Sequence, residues 1–281
     1  MKMPFELVDS HVHYWVASTP DRPWIENGPE PDKDPWPVER LLEETTAAGV
    51  SRVVDVVPSL LGYDNRYAFE AADAHPDRVA GIYGRVDPLD ADMPRILADL
   101  HAHPKFMGIR LTLLSPVERS WLVDASPLQP FFEEAERLDF PVGLFARGFP
   151  GEIMRIAQQF PRTRVIVDHM ALNWRNPHPF DDWPDVLAMS KLSNVYMKVS
   201  YLPEASHEEA YPYPKAKQYF REIYEEFGED RLIWGTNFPP SKRMCSYQQQ
   251  VDFMLDACSF LPDAVQAKFF GENLFKVSAQ R

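Results

Sequence analysis

A (β/α)8 barrel in a single domain over residues 1–281 is the fold this sequence predicts, on three observations. Eight short runs rich in Val, Ile and aromatic residues recur at a spacing of about 32 residues, the length of a βα unit with its loops. Amphipathic helical patterns lie between them, with apolar residues at i, i+3 and i+4. No glycine-rich first turn opens the chain and no gap separates a second core. Both points disfavour a doubly wound open sheet, the competing architecture.

In chain order the strand candidates are FELVDSHVH from Phe5, RVVDVVP from Arg52, RVAGIYGRVD from Arg78 and KFMGIRLT from Lys105. PVGLFAR from Pro141, RVIVDHM from Arg164, VYMKVS from Val195 and LIWGTNFP from Leu232 complete the set. Each closes on a polar residue or proline, as short buried strands do. The clearest helix is KAKQYFREIYEEFGED, where Ala216, Tyr219, Phe220, Ile223, Tyr224 and Phe227 share one face. Ile153, Ile156, Ala157 and Phe160 repeat that stripe after the fifth strand, while Leu41 and Leu42, then Ile96, Leu97 and Leu100, seed two more. Two segments fall outside the repeat: the Pro-rich residues 17–37 after the first strand, and residues 173–184 after the sixth. On the C-terminal face of a barrel such inserts form lids. Their Trp24, Trp36, Trp174 and Trp183 then have two readings, as walls of a pocket or as anchors for long loops. Beyond Gln248 the chain reads as closing helices.

Composition narrows the function classes. Hydrophobic residues make up 45% and charged residues 25%, the mix of a globular rather than a disordered chain. No run approaches the roughly 20 apolar residues of a membrane helix. The start, MKMPFELVDS, lacks the apolar centre of a secretion signal, so a cytoplasmic location is expected. Lys and Arg number 29 against 42 Asp and Glu, a net charge of −13 without a long basic run, which argues against nucleic acid as partner. Cys245 and Cys258 make neither a disulfide framework nor a CxxC pair.

In such a barrel helices cover the outer strand face, so a charged or imidazole group on a strand favours the inner face at the C-terminal rim, where water and ligand reach it. Seven strands supply such residues near their C-terminal ends: His11 and His13, Arg85, Arg110, Arg147, His169, Lys198 and Asn237. The two-residue step of His11 and His13 aims both imidazoles the same way, as a metal or an oxyanion requires. By the same alternation Asp168 points outward to the helices and orients a neighbour. His101 and His103 end a helix, where residues two apart diverge by about 200°, so they read as surface. His75, His178 and His207 sit in loops or helix ends and take no role. Arg85, Arg110, Lys198 and Arg147 converge in an otherwise acidic chain. Unless Asp55 or Asp87 pairs with them, their burial implies an anionic ligand, and guanidinium forks suit carboxylate or sulfonate. Asn65, Tyr67, Tyr201 and Trp15 offer rim contacts to hydroxyls or rings.

The motifs DSHVHYW, GVSRVV, DNRY at 64–67, HPDR at 75–78, GRVDP at 84–88, GIRL at 108–111, VDHM at 167–170, NVYMKVS at 194–200 and RLIWGTNFP at 231–239 run through the chain in a specific order. In that order the sequence resembles the amidohydrolase-related ("amidohydrolase 2") family of the amidohydrolase superfamily, above all its sugar-lactone, muconolactone and 2-pyrone-4,6-dicarboxylate hydrolases. The resemblance implies a TIM barrel that hydrolyses a lactone, amide or similar bond, or in some relatives decarboxylates an aromatic acid. His11 and His13 match the family's strand-one pair and His169 its strand-six histidine. Two positions depart from the pattern. Phe145 stands where many relatives have a strand-five histidine. Asn237 stands where the family has the aspartate that takes the proton of the attacking water, and an amide is no base near neutral pH.

What remains leaves too few ligands for a binuclear centre. Two cofactor states stay open: no metal, or a single divalent ion, zinc by its ligand chemistry, on His11, His13 and His169. The expected function is hydrolysis of the lactone of a small carboxylated compound. In it His11 and His13 stabilise the oxyanion, His169 is acid and base, and Asn237 positions water. The alternatives are a metal-dependent carboxy-lyase on an aromatic acid and a ligand-binding barrel that has lost its catalytic aspartate. A small anionic organic molecule is the expected partner, with a homo-oligomer left open.

Overall fold

The computed structural model describes residues 3–25, 34–206 and 209–279. Residues 26–33 of the first insert and His207 lie outside the described residues. The eight strands are β1 (Val8–Val12), β2 (Arg52–Val56), β3 (Val79–Gly84), β4 (Phe106–Thr112), β5 (Val142–Phe145), β6 (Val165–Val167), β7 (Val195–Val199) and β8 (Leu232–Trp234). All eight fall within the runs the sequence marks. They form one sheet in sequential order, each neighbouring pair parallel. The sheet closes on itself beyond the last strand. The His13 N–H donates to Phe238 O at 2.8 Å and the Asn237 N–H to His11 O at 2.7 Å, so the seam is bonded at the C-terminal rim. The expected (β/α)8 barrel is the fold.

Amphipathic helices cover the outside. The helix Pro214–Phe227 buries Ala216, Phe220, Ile223 and Phe227, while Tyr219 and Tyr224 pack at the edge of the core. Ile153, Ile156 and Ala157 do the same from Pro150–Gln159. None of the described helices is long and apolar enough to cross a membrane. The closing helices are Tyr247–Ala257, Asp263–Ala267 and Asn273–Ser278. The last of them plugs the lower end of the barrel. Its Leu274 and Val277 pack inside with Val8, Val54, Tyr83, Met107 and Ile233, and Ser278 Oγ lies 2.8 Å from the Tyr83 hydroxyl.

Two departures from regular strand geometry set the upper end. In β1 the register against β2 shifts between Asp9 and Val12. Val8 faces the interior and Val12 the helices, whereas unbroken alternation would send both to the same side. The irregularity reverses the phase, and His11 and His13 enter the barrel. Asp9 anchors this bend: it accepts from the N–H groups of His11 and Thr236, the Thr236 hydroxyl and the Tyr247 hydroxyl.

The second departure follows β6. The turn Asp168–Ala171 holds His169, Met170 and Ala171 at φ of 55°, 56° and 55°. The left-handed region costs a non-glycine residue on the order of 1 kcal/mol or more, so three in succession persist only where their surroundings fix them. This turn overturns the expectation for Asp168. Ile166 and Asp168 both face the interior, as their contacts show. His169 reaches the same cavity through the turn of the backbone, which strand alternation does not describe.

Candidate active site

Asp168 is the centre of the cavity floor. It is 1% exposed, and its Oδ2 accepts from Arg110 Nε at 2.9 Å. Its Oδ1 faces Lys198 Nζ at 3.4 Å and His11 Nδ1 at 3.5 Å. Arg110 is aimed inward because Ile109 and Leu111 take the outer face of β4, and Lys198 because Met197 and Val199 take that of β7. Burial by itself raises a carboxyl pKa, but Lys198, His11 and Arg110 outweigh it and hold Asp168 well below the usual range. Arg110 also covers the Phe145 ring at 4.4 Å. The partner of the floor cations is therefore Asp168. Asp55, buried on the outer side of β2 against the Tyr14 backbone, takes no part in the pairing.

Above the floor stand three imidazoles. The His11 ring centre is 4.9 Å from that of His13 and 4.6 Å from that of His169. Burial drives His11 and His169 well below the ordinary histidine value and His13 down to about 4, so all three are neutral near pH 7. His13 Nδ1 donates to the Val56 carbonyl, which leaves Nε2 as a lone pair. That lone pair lies 2.9 Å from Asn237 Oδ1. Two acceptors do not bond, whereas the amide turned by 180° presents its NH2 to His13 and satisfies both. An aspartate has no such option. Asn237 is itself at φ 59°, a region asparagine tolerates well, and the Tyr201 hydroxyl reaches it and Arg243. His169 Nδ1 is 2.6 Å from Ser200 Oγ, so Nε2 is the nitrogen left for the cavity.

The cavity over these rings encloses about 180 Å³, the scale of a small metabolite. Phe145, Trp174 and Tyr201 make one wall of near-parallel rings, with centroids 5.9 Å and 4.2 Å apart and planes within 11° and 10°. Arg147, Arg175 and Arg243 line the mouth. Arg147 lies 5.1 Å over Trp174, and its Nε is buried without a partner. Arg243 donates to Glu204 Oε1 at 2.9 Å, whereas Glu204 Oε2 is buried and unbonded. Burial lifts the Glu204 carboxyl to about 7 against the pull of Arg243.

The residues singled out from sequence divide accordingly. His13, His169, Asn237, Arg110, Arg147, Tyr201 and Trp15 line the cavity, and His11 and Lys198 lie beneath it. Arg85 does not reach it: its guanidinium is spent on Gly62 O, Ser59 Oγ and Thr112 Oγ1. Asn65 clamps the Arg85 backbone through Oδ1 and Nδ2. The Tyr67 hydroxyl accepts from the Val38 N–H, away from the site. Of the four insert tryptophans only Trp174 walls the cavity. Trp24 donates to Val16 O and Trp183 to Glu222, and Trp36 packs edge-on against Phe238, so these three anchor. Arg175, Arg243 and Glu204 went unread in the sequence. NWRNP and SKRM, just past the sixth and eighth strands, carried the signal for the two arginines.

Among the described residues one donor set is compact enough for a metal ion: His11, Asp168 and His169, whose ligand atoms lie within 4.8 Å of one another. Both His11 ring nitrogens and Asp168 Oδ1 are buried without hydrogen bonds. Two imidazoles and a carboxylate suit a single divalent ion, so the residues fit one. This set differs from the three histidines expected, because the Nε2 face of His13 is turned to Asn237.

Known proteins agree with this architecture. The chain is 30% identical to an L-fucono-1,5-lactonase of Burkholderia ambifaria, over 95% of its own length and 93% of the relative's. It is 25% identical to a 4-sulfomuconolactone hydrolase of Rhizobium radiobacter, over 94% and 87%. An amidohydrolase from Burkholderia multivorans, crystallised with bound zinc, superposes with a TM-score of 0.83 at 18% identity, covering 98% of this chain and 100% of that one. A family model described as amidohydrolase matches residues 8–273, nearly the whole barrel from β1 to the final helix, and the chain belongs to that amidohydrolase family.

Proposed function

We propose that this protein hydrolyses a lactone carrying a carboxylate or sulfonate. The observation that carries the reading is the division of charge. The floor cations share the Asp168 carboxylate, while Arg147 at the mouth keeps a buried Nε–H with no partner among the described residues. A guanidinium that lines a small cavity with its buried Nε–H unpaired selects an anionic ligand. Relatives named as lactone hydrolases support ring opening as the reaction.

In this reading the anionic group docks on Arg147 and its neighbours, and the ring lies against the Phe145, Trp174 and Tyr201 wall. Water sits between His11 and His169. His11 Nδ1 faces a carboxylate and so carries the proton, leaving His11 Nε2 and His169 Nε2 as acceptors that orient the water. His169 takes the proton as oxygen attacks the carbonyl carbon, and returns it to the departing ring oxygen. Asp168, directly below, favours the imidazolium that forms. As neutral rings with the proton on Nδ1, which faces Asp168 in His11 and bonds the Val56 carbonyl in His13, both present Nε2 lone pairs, so the oxyanion role expected of them passes to Asn237. One amide N–H is held by His13, and the second is free for the developing oxyanion. A zinc ion on His11, Asp168 and His169 supplies, when bound, Lewis-acid polarisation of the carbonyl.

The test is turnover on paired substrates: carboxylated or sulfonated lactones against neutral sugar lactones of the same ring size. The anionic member should have the higher kcat/KM. His169→Ala should reduce kcat by about a thousandfold or more at unchanged melting temperature, the scale of losing a general base. Retained turnover in that variant refutes the role. Release of carbon dioxide in place of a ring-opened acid identifies a carboxy-lyase.

A further inference from the structure

We propose that Lys198 governs metal occupancy in this chain: its ammonium competes with a divalent cation for Asp168 Oδ1, so the wild-type site holds such an ion weakly. Asp168 has two oxygens, and Oδ2 is committed to Arg110 Nε at 2.9 Å. An ion on His11 and His169 must therefore take Oδ1, the oxygen that Lys198 Nζ faces at 3.4 Å. Lys198 cannot withdraw to solvent as an ion arrives. It is 1% exposed on the inner face of β7, and its ammonium lies 5.1 Å over the Tyr83 ring.

Charge decides the competition. Arg110 and Lys198 are two positive charges against the one negative charge of Asp168. A divalent ion would add two more where little water screens them, and like charges at such spacing repel strongly. Asn237 acts in the same direction, since its amide occupies the Nε2 face of His13 that a third imidazole ligand would use. The zinc-bound relative shows that this barrel type accepts the ion; in this chain the lysine sets how tightly.

The inference rests on the charge geometry of the floor and not on the lactone reading, and its readout is metal binding rather than turnover, so either can fail alone. Chelator-stripped protein is titrated with zinc in competition with a chromogenic chelator, comparing wild type, Lys198→Met and Lys198→Arg. Lys198→Met should bind one zinc per chain at least a hundredfold tighter than wild type, and Lys198→Arg, which keeps the charge, should stay as weak as wild type. Wild type binding one zinc as tightly as Lys198→Met overturns the proposal, as does an equal gain in Lys198→Arg. Circular dichroism melts confirm that each variant is folded. If Lys198→Met is not, Lys198→Gln takes its place and is judged by the same two criteria.

Discussion

The floor and the mouth of the cavity are both rich in cations, yet they use them in opposite ways. At the floor, Arg110 and Lys198 share one buried carboxylate, which accepts the Arg110 Nε–H and faces the Lys198 ammonium. At the mouth, Arg147, Arg175 and Arg243 face a single carboxyl group, that of Glu204, which bonds only one of them. The first arrangement is a buried unit built on a carboxylate that both cations share. The second leaves Arg147 and Arg175 unbonded by the one carboxyl beside them, and a ligand completes it. A count of basic residues would treat the two alike; their partners separate stability from recognition.

The strongest way to break this contrast is at the floor. Asp168→Asn keeps the shape of the side chain but leaves Arg110 and Lys198 without a counter-charge inside the barrel. Removing one partner of a buried ion pair costs about 3–5 kcal/mol, so the melting temperature should fall by roughly 10 °C. Turnover should vanish with it, since His11 loses the carboxylate that orients it. A variant as stable as wild type would show that the floor is not a locked unit.

The mouth should respond in the reverse sense. Among the described residues Arg147 has no ion-pair partner, so Arg147→Ala should leave stability within about 0.5 kcal/mol, as for substitutions outside such networks. Its effect belongs in binding. KM for an anionic lactone should rise by about 10- to 100-fold, the scale of one charge-assisted contact. kcat should change little, and a neutral sugar lactone should be handled as before. Equal losses on both substrates in steady-state kinetics would remove anion recognition from the mouth.

The two regions also differ in how far the sequence reveals them. The barrel is legible because its period is long and regular, and every strand falls where an apolar run lies. His11 and His13 are legible as a pair, although a register shift in β1, which the letters do not show, is what turns them inward. Asp168 is misread because alternation is carried one residue too far, into a turn whose left-handed φ values have no glycine to announce them. Arg110 and Lys198 are found, but as ligand contacts. Their common partner lies 58 and 30 positions away in the chain, and only the closed sheet brings the three together. The mouth is least legible, since Arg175, Arg243 and Glu204 lie beyond strand ends, where no periodicity predicts the path of the chain.

Glu204 offers the finest test of the mouth. Its carboxyl is lifted by burial to about 7 from an ordinary value near 4.5. A carboxyl raised in the folded state contributes stability below its unfolded pKa and loses it as pH rises through the folded value. Unfolding free energy should therefore decline between pH 5 and pH 8 by about 1–3 kcal/mol more in wild type than in Glu204→Gln. Asp9, raised by burial to about 6, titrates in the same window but equally in both proteins, so the difference isolates Glu204. Binding should follow the same titration. Above pH 7 the charged Glu204 competes with an anionic ligand for Arg243 and its neighbours, so KM for an anionic lactone should climb through neutrality in wild type and stay flatter in Glu204→Gln. Identical pH profiles for the two proteins would mean that the mouth arginines are not shared between Glu204 and the ligand, and the contrast with the floor would then rest on Arg147 alone.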